Sequence, residues 1–211
     1  MPKFPFIFVI GSRRSGKSTL TAHLLKNHFQ KYDFRIGLCG HRSAAQWYVE
    51  QDLLPADYVH DNYDPKILEK WFKKCDKLMK KGNKLPSTLF VLDDILRTRK
   101  IKGGITTRQD PWLEKLSICG RHYRCAVILI VHSVSVALSF CRNADLVLTA
   151  PSSLYCGQDF KTLCENYMSQ DKLKENREIL KLFEKYDFLG LRYYNSSRKG
   201  HKLLSYYRVP C

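Results

Sequence analysis

The sequence predicts an α/β fold, with a mostly parallel β-sheet covered by helices on both faces. Short apolar segments rich in β-forming residues recur along the chain, as in strands that are buried on both sides. Amphipathic helical patterns separate these segments, and such alternation is typical of parallel strand pairing. With 211 residues, the chain is expected to form a single domain over residues 1–211.

In the first half of the chain, glycine and proline mark the ends of the predicted elements. Asp64 and Pro65 fit the cap and first turn of a basic amphipathic helix, and Gly82 begins the segment that ends it. The predicted elements are a strand at Phe4–Ile10, a helix from Gly16 to about Phe29, a strand at Phe34–Cys39, a helix at Pro65–Lys81 and a strand at Thr88–Leu92.

The second half continues this alternation and is expected to end in a β-hairpin around the turn-rich stretch Asn195–Gly200. The sheet core should cover about residues 4–151, with C-terminal helices and the hairpin over about 152–211. The predicted elements are a loop at Arg97–Asp110, a helix at Pro111–Tyr123, a strand at Ala126–Val131, a helical turn at Val134–Phe140, a strand at Asp145–Thr149, helices at Asp159–Gln170 and Leu173–Tyr186, and strands at Leu189–Tyr194 and Lys202–Arg208.

Charge is the main anomaly of the composition. The 36 Lys and Arg residues outnumber 20 Asp and Glu residues, which gives a net charge of +16. Such a charge favours polyanionic partners, nucleic acid above all, although a solvated lysine-rich surface is the alternative. The longest apolar run, Cys125–Val131, is too short to cross a bilayer, so no membrane partner is expected.

Cysteine usage indicates an intracellular, soluble protein. The eight cysteines are scattered without a Cys-x-x-Cys pair, as expected of reduced thiols. Cys119, Cys125 and His122 make only a weak candidate zinc site, because paired ligands are missing.

A phosphate-binding loop follows the first strand. Gly11 to Ser18 fits the Walker A pattern, in which glycines let backbone N–H groups face phosphate oxygens at a helix N-terminus. Lys17 is expected to contact the β- and γ-phosphates of ATP, and the Ser18 hydroxyl to bind Mg²⁺. The predicted nucleotide-binding residues are Gly11, Ser12, Arg13, Arg14, Ser15, Gly16, Lys17, Ser18 and Thr19.

Two carboxylates end a later apolar strand, as in a Walker B motif. Asp93 is placed to hold Mg²⁺, and Asp94 to polarise the attacking water. His132 follows the strand at Ala126–Val131, where a polar side chain can sense the γ-phosphate or position water; a purely structural histidine is equally compatible with the spacing.

Together, the phosphate loop, Asp93-Asp94, the Gly120–Tyr123 segment leading to His132, and Arg142-Asn143-Ala144-Asp145 resemble the FtsK–HerA superfamily. Within it, they are most similar to the genome-packaging ATPases of large DNA viruses. The likeness covers about Phe4 to Pro151. Two departures are His132, where an amide is usual, and Asp94, where glutamate is frequent.

The resemblance implies an additional-strand P-loop fold, ATP and Mg²⁺ as ligands, and a homo-oligomeric ring, a pentamer or a hexamer. It also implies translocation of double-stranded DNA into a capsid, with a capsid or portal protein as a further partner and the host cytoplasm or nucleus as the location. Arg121 and Arg142 are candidates for an arginine that reaches a phosphate across a subunit interface; a surface ion pair is the alternative for each.

A basic segment follows the Walker B strand. Arg97, Arg99, Lys100 and Lys102 are close in sequence, with two glycines after them and no interleaved aromatic or amide side chain. This composition predicts sequence-independent contacts with DNA phosphates, with a solvated surface loop as the alternative.

Other function classes fit less well. A small GTPase needs an Asn-Lys-x-Asp motif, and Asn83-Lys84-Leu85-Pro86 lacks its aspartate. A nucleoside or nucleotide kinase is the main alternative, with Arg97–Arg108 as its lid, but Asp93-Asp94 and the Arg121–His132 segment disfavour it. A nucleic-acid-binding structural protein would explain the charge and leave the phosphate loop unexplained.

Overall fold

The structure, a computed structural model, describes residues 3–96, 109–133, 140, 143–150, 187–192 and 203–209. The described ranges contain eight strands and four α-helices. In chain order these are β1 (Phe6–Ile10), α1 (Lys17–His28), β2 (Phe34–Cys39), α2 (Arg42–Glu50), β3 (Val59–His60), α3 (Pro65–Lys80), β4 (Thr88–Asp93), α4 (Pro111–Cys119), β5 (Cys125–Val131), β6 (Leu146–Thr149), β7 (Asp187–Arg192) and β8 (Leu203–Arg208).

The strands form one sheet in the order β3-β2-β4-β5-β1-β6-β7-β8. The first six in this order pair in parallel, whereas β7 pairs antiparallel with both β6 and β8. The predicted α/β class with a mostly parallel sheet is therefore confirmed. β5 lies between β1 and β4. That the fold is of the additional-strand P-loop type stays a prediction.

Each face of the sheet carries its own apolar core. Along β1, Phe8 and Ile10 belong to the core on the side of α3 and α4, while Ile7 and Val9 belong to the core on the side of α1 and α2. Side chains alternate between the faces of a strand, so a strand covered on both faces must be apolar throughout. This is why the strand segments read as continuous apolar runs.

Helix α3 begins where the sequence predicts. The Asp64 side chain accepts a hydrogen bond from the Lys66 backbone N–H at 3.0 Å, and Pro65 occupies the first turn. Leu68, Phe72 and Cys75 are its buried side chains. The opposite face of the helix is left to solvent.

The structure differs from the sequence prediction in three elements. Helix α2 and strand β3 are additional to the predicted ones, and helix α4 ends at Cys119, after which Gly120–Tyr123 forms a 3-10 turn. The α-helix cannot continue to Tyr123 because Arg124 adopts a left-handed backbone, φ 55°, and leads directly into β5.

Several predicted segments lie outside the described residues. These are the loop at 97–108, most of the helical turn at 134–140, the helices at 159–170 and 173–186, and the hairpin turn at 195–200. None of the helices in the described ranges is long and apolar enough to cross a membrane.

Candidate nucleotide-binding site

Three adjacent strands end at the same edge of the sheet, and each is followed by a sequence-predicted site residue. Neighbouring parallel strands present their carboxyl ends together, which is where α/β proteins bind ligands. The Gly11–Ser18 loop follows β1, Asp93 and Asp94 stand at the end of β4, and His132 follows β5. The sheet order β4-β5-β1 therefore brings these residues to one place.

The loop after β1 has the backbone of a phosphate cradle. The Gly11 N–H donates to the Val131 carbonyl at 3.2 Å, and Gly16 has a left-handed φ of 89°. A Cβ added at Gly11 would lie 2.2 Å from Ser15 Oγ and 3.0 Å from Lys17 Cγ, so a larger residue there would displace both side chains of the loop. Ser15 Oγ is buried without a hydrogen-bond partner.

Taken together, this cradle fits a phosphate group. An unpaired buried hydroxyl and a curled loop at the N-terminus of α1 both favour an anionic ligand with several acceptor oxygens. Ser18 and Thr19 lie in the first turn of α1 and are exposed, as are Arg13 and Arg14 on the loop.

The Lys17 ammonium folds back over the loop. It donates to the carbonyl oxygens of Gly11 at 2.7 Å and Ser12 at 2.8 Å, and it lies 3.3 Å from His132 Nδ1. Burial lowers the pKa of Lys17, and the charges of Asp93 and Asp94 oppose that shift. The ammonium is thus held at the mouth of the cradle beside both carboxylates.

Asp93 is fixed from the neighbouring helix α2. Its Oδ2 accepts a hydrogen bond from the Tyr48 hydroxyl at 2.9 Å, and its carbonyl oxygen accepts from the Gly40 N–H at 2.7 Å. Burial raises the pKa of the Asp93 carboxyl, and the Tyr48 hydrogen bond acts in the opposite direction. Burial also raises the pKa of Tyr48 well above its ordinary value, so this hydroxyl stays a donor.

Asp94 lies between two imidazoles. Its Oδ2 is 3.2 Å from His132 Nε2 and 3.7 Å from His41 Nε2. An ammonium can only donate, so the contact with Lys17 makes His132 Nδ1 an acceptor and leaves the Nε2 proton for Asp94. Asp94 itself has a left-handed backbone, φ 54°, with its N–H on the Ile130 carbonyl at 3.1 Å.

Sequence reasoning missed His41 and Tyr48. His41 could have been found, because it follows β2, the neighbour of β4, and so lies at the same edge of the sheet. Tyr48 carries no comparable signal. It lies inside α2, a nine-residue helix whose buried residues are Ala45 and Tyr48 alone.

Arg121 lies away from this site within the chain. It is exposed in the 3-10 turn before β5, at the amino edge of the sheet, whereas His132 follows the same strand at the carboxyl edge. The seven residues of β5 separate the two by about 20 Å. Arg142 and the basic residues Arg97, Arg99, Lys100 and Lys102 are outside the described residues.

Within the described ranges, no group of three or more His, Cys, Asp or Glu side chains is arranged to hold a metal ion. Mg²⁺ in nucleotide enzymes needs no such cluster, because it is held by one or two protein oxygens together with the phosphates. Asp93 at the end of β4 and Ser18 in the first turn of α1 provide donors of this kind.

Comparison with solved structures identifies chains of the same fold. B204, the DNA-packaging ATPase of Sulfolobus turreted icosahedral virus, matches with a TM-score of 0.64 and 20% identity, over 100% of this chain and 99% of that one. The two chains share a fold. B204 of Sulfolobus turreted icosahedral virus 2, in complex with AMPPCP, matches with a TM-score of 0.60 and 21% identity, over 99% of both chains. The resemblance to packaging ATPases is thereby confirmed at the level of the fold.

Sequence comparison gives a distant relative. Uncharacterized protein 075L of invertebrate iridescent virus 6 is 27% identical over 140 residues, which cover 66% of this chain and 51% of that protein. The match therefore spans about half the length of the iridovirus protein. No protein-family model matches the sequence.

Proposed function

We propose that the protein is an ATPase motor that moves double-stranded DNA and packages a viral genome. One observation carries the proposal: a phosphate cradle, its lysine, two strand-end carboxylates and a histidine meet at one sheet edge. The shared fold with B204, described as a DNA-packaging ATPase, and the charge of +16 support the DNA part.

ATP would bind with its phosphates in the Gly11–Ser18 loop. The Lys17 ammonium would exchange the carbonyl acceptors of Gly11 and Ser12 for β- and γ-phosphate oxygens, which offer it negative charge. Backbone N–H groups at the start of α1 would add fixed donors that need no reorganisation. Arg13 and Arg14 extend from the loop into solvent, where they can meet the outer phosphate oxygens.

Asp93 and Ser18 would hold Mg²⁺. When bound, the ion would supply positive charge that neutralises the charge developing on the phosphates during phosphoryl transfer. Tyr48 keeps one oxygen of Asp93 in place by its hydrogen bond, which leaves the second oxygen for the metal. Burial disfavours the Asp93 carboxylate, so a cation beside it is strongly favourable.

Asp94 would accept a hydrogen bond from the attacking water and align it with the γ-phosphorus. His132 orients this carboxylate, because its Nε2–H donates a hydrogen bond to Asp94 Oδ2 while its Nδ1 contacts Lys17. A single imidazole thus links the phosphate-binding cation to the water-binding anion. Loss of the γ-phosphate would change both of its contacts, as expected of a γ-phosphate sensor.

The place of Arg121 supports the proposal of a homo-oligomeric ring. This side chain is exposed but cannot reach the site of its own chain, so a catalytic role requires a neighbouring subunit. Arg142 stays the second candidate. We further propose that residues 1–211 act as one domain inside the host cell, with a capsid or portal protein as the partner that receives the DNA.

The test of the proposal is ATP hydrolysis by variants within helix α1. Lys17→Ala should abolish phosphate release, because the charge on the β/γ oxygens is lost. Lys26→Ala removes an exposed lysine from the same helix and should leave the rate unchanged. Hydrolysis by Lys17→Ala at the wild-type rate would contradict the proposal.

A mixing experiment tests the arginine. Arg121→Ala should bind ATP and fail to hydrolyse it, and mixtures with Lys17→Ala should regain activity at interfaces that combine an intact loop with an intact arginine. Mixed rings that stay inactive would show that Arg121 does not act between subunits.

A further inference from the structure

Helix α3 carries a straight line of lysines along its solvent face. Lys66, Lys70, Lys73, Lys77 and Lys80 follow one another at spacings of four, three, four and three residues, and all are exposed. These five residues are called the α3 lysine stripe. With a rise of 1.5 Å per residue, the stripe is about 21 Å long. Lys74 and Lys81 are exposed beside it.

Helix stability does not explain the stripe. Lysines four residues apart on one face of a helix repel each other and destabilise the helix. A helix dipole favours cations in the last turn and disfavours them in the first, yet Lys66 and Lys70 lie in the first two turns of α3. The buried residues of α3, such as Leu68 and Phe72, lie on its opposite face.

The nearby acids leave most of this charge uncompensated. In the described part of the chain, Lys73 is the one stripe residue in an ion pair, with Glu69 at 2.7 Å. Asp76 is occupied from the other side, since it accepts from the Tyr123 hydroxyl at 2.9 Å and lies 3.9 Å from Lys115 Nζ. The stripe therefore presents a band of positive charge.

We propose that the α3 lysine stripe is a binding surface for the phosphate backbone of double-stranded DNA. About 21 Å matches the axial rise of roughly six base pairs, along which phosphates recur at regular intervals. Lysine ammonium groups contact phosphates as compact point charges, whereas arginine offers a rigid planar fork that favours bidentate pairing. Binding at the stripe should thus be independent of sequence.

The chemistry of the helix disfavours the other polyanions. Single-stranded nucleic acid is held by exposed aromatic side chains, whereas Phe72 is buried and Trp71 packs on Phe90, with ring centroids 5.2 Å apart. Adsorption to an anionic membrane requires apolar side chains beside the lysines, and Met79 is the one large hydrophobic side chain exposed on α3.

The stripe is separate from the nucleotide site. Helix α3 covers one face of the sheet, while the phosphate loop lies at the carboxyl edge. The inference rests on the proposed function only in the choice of DNA as the polyanion, and binding at the stripe requires no nucleotide. If the stripe binds DNA but the protein does not hydrolyse ATP, the proposed motor function is refuted and the inference about the stripe stands.

The test compares two triple variants of equal charge. Lys66→Gln/Lys70→Gln/Lys77→Gln removes three stripe charges, and glutamine preserves helix propensity. The control, Lys3→Gln/Lys26→Gln/Lys31→Gln, removes three exposed lysines outside α3 and lowers the net charge by the same amount. A third variant, Lys66→Arg/Lys70→Arg/Lys77→Arg, keeps the three positive charges. Circular dichroism should show that all three variants have the helical content of the wild type.

Affinity for a mixed-sequence duplex should be measured without nucleotide by fluorescence anisotropy over a salt series. The stripe variant should bind more than tenfold weaker than the control, with a log–log salt slope shallower by about 2 to 3, and the arginine variant should bind like wild type. Equal losses in the stripe variant and the control would overturn the proposal. Unchanged duplex binding with lost binding to phosphatidylserine vesicles would overturn it in favour of a membrane surface.

Discussion

Tyr48→Phe should lower the free energy of unfolding of the protein, although the aromatic ring stays in place. The Tyr48 side chain is fully buried, and its hydroxyl donates to Asp93 Oδ2 at 2.9 Å. Phenylalanine keeps the packing of the ring in the core under α1 and α2 and removes only the donor. The carboxylate then stays buried with one hydrogen bond fewer.

The size of the effect follows from the charge of the acceptor. A buried hydrogen bond to a charged group contributes about 1.5–3 kcal/mol, so the free energy of unfolding should fall by that amount at neutral pH. Burial already raises the pKa of Asp93, and loss of the Tyr48 donor should raise it further. A carboxyl group whose pKa is higher in the folded state than in the unfolded state stabilises the fold at pH values below its unfolded-state pKa. This stabilisation is lost as the pH rises through its folded-state pKa. The difference between variant and wild type should therefore grow from about pH 4 towards neutrality.

Denaturant unfolding at several pH values measures this difference. Tyr58→Phe is the control, because Tyr58 is 40% exposed and its change should stay within about 0.5 kcal/mol. The Mg²⁺ concentration that half-saturates ATP hydrolysis should also rise in Tyr48→Phe alone. Equal stability of the two variants at neutral pH would refute the reasoning.

Four further substitutions test the site. Asp94→Asn should keep its nucleotide affinity in a binding titration, while its rate of hydrolysis falls by orders of magnitude. Asp93→Asn should instead lose Mg²⁺-dependent nucleotide binding. Equal loss of binding in the two variants would contradict this division of roles between Asp93 and Asp94. His132→Gln should retain hydrolysis, because the glutamine amide can still donate a hydrogen bond to Asp94. An inactive enzyme would contradict a sensor role. Gly11→Ala should weaken binding of a fluorescent ATP analogue, because its Cβ would lie 2.2 Å from Ser15 Oγ and 3.0 Å from Lys17 Cγ and would displace both side chains. At Gly120 the nearest atom is 3.6 Å away, so alanine should be tolerated there. Normal binding by Gly11→Ala would contradict the cradle geometry.

Strand limits and the site residues that lie at strand ends could be predicted from the sequence, because they depend on neighbouring residues in the chain. The sequence predicts β2 at Phe34–Cys39, and this parallel strand begins and ends at these two residues. The phosphate loop, Asp93 and His132 follow directly after such strands. Their common edge follows from parallel pairing, although their roles in catalysis stay predictions.

Contacts made across the sheet could not be predicted. The Tyr48 contact with Asp93 joins positions 45 residues apart and depends on α2, a helix of only nine residues. The two residues of β3 pair with β2 because of tertiary packing rather than local propensity. The distance between Arg121 and His132 likewise becomes visible only once β5 is known to run the full depth of the sheet.

The most direct test of the central proposal is the fate of the γ-phosphate in the presence of duplex DNA. Purified wild-type protein should release inorganic phosphate from ATP in a Mg²⁺-dependent reaction, and double-stranded DNA should accelerate that release. Transfer of the phosphate to an added nucleoside or nucleotide, with a hydrolysis rate that duplex DNA leaves unchanged, would contradict the motor and favour a kinase.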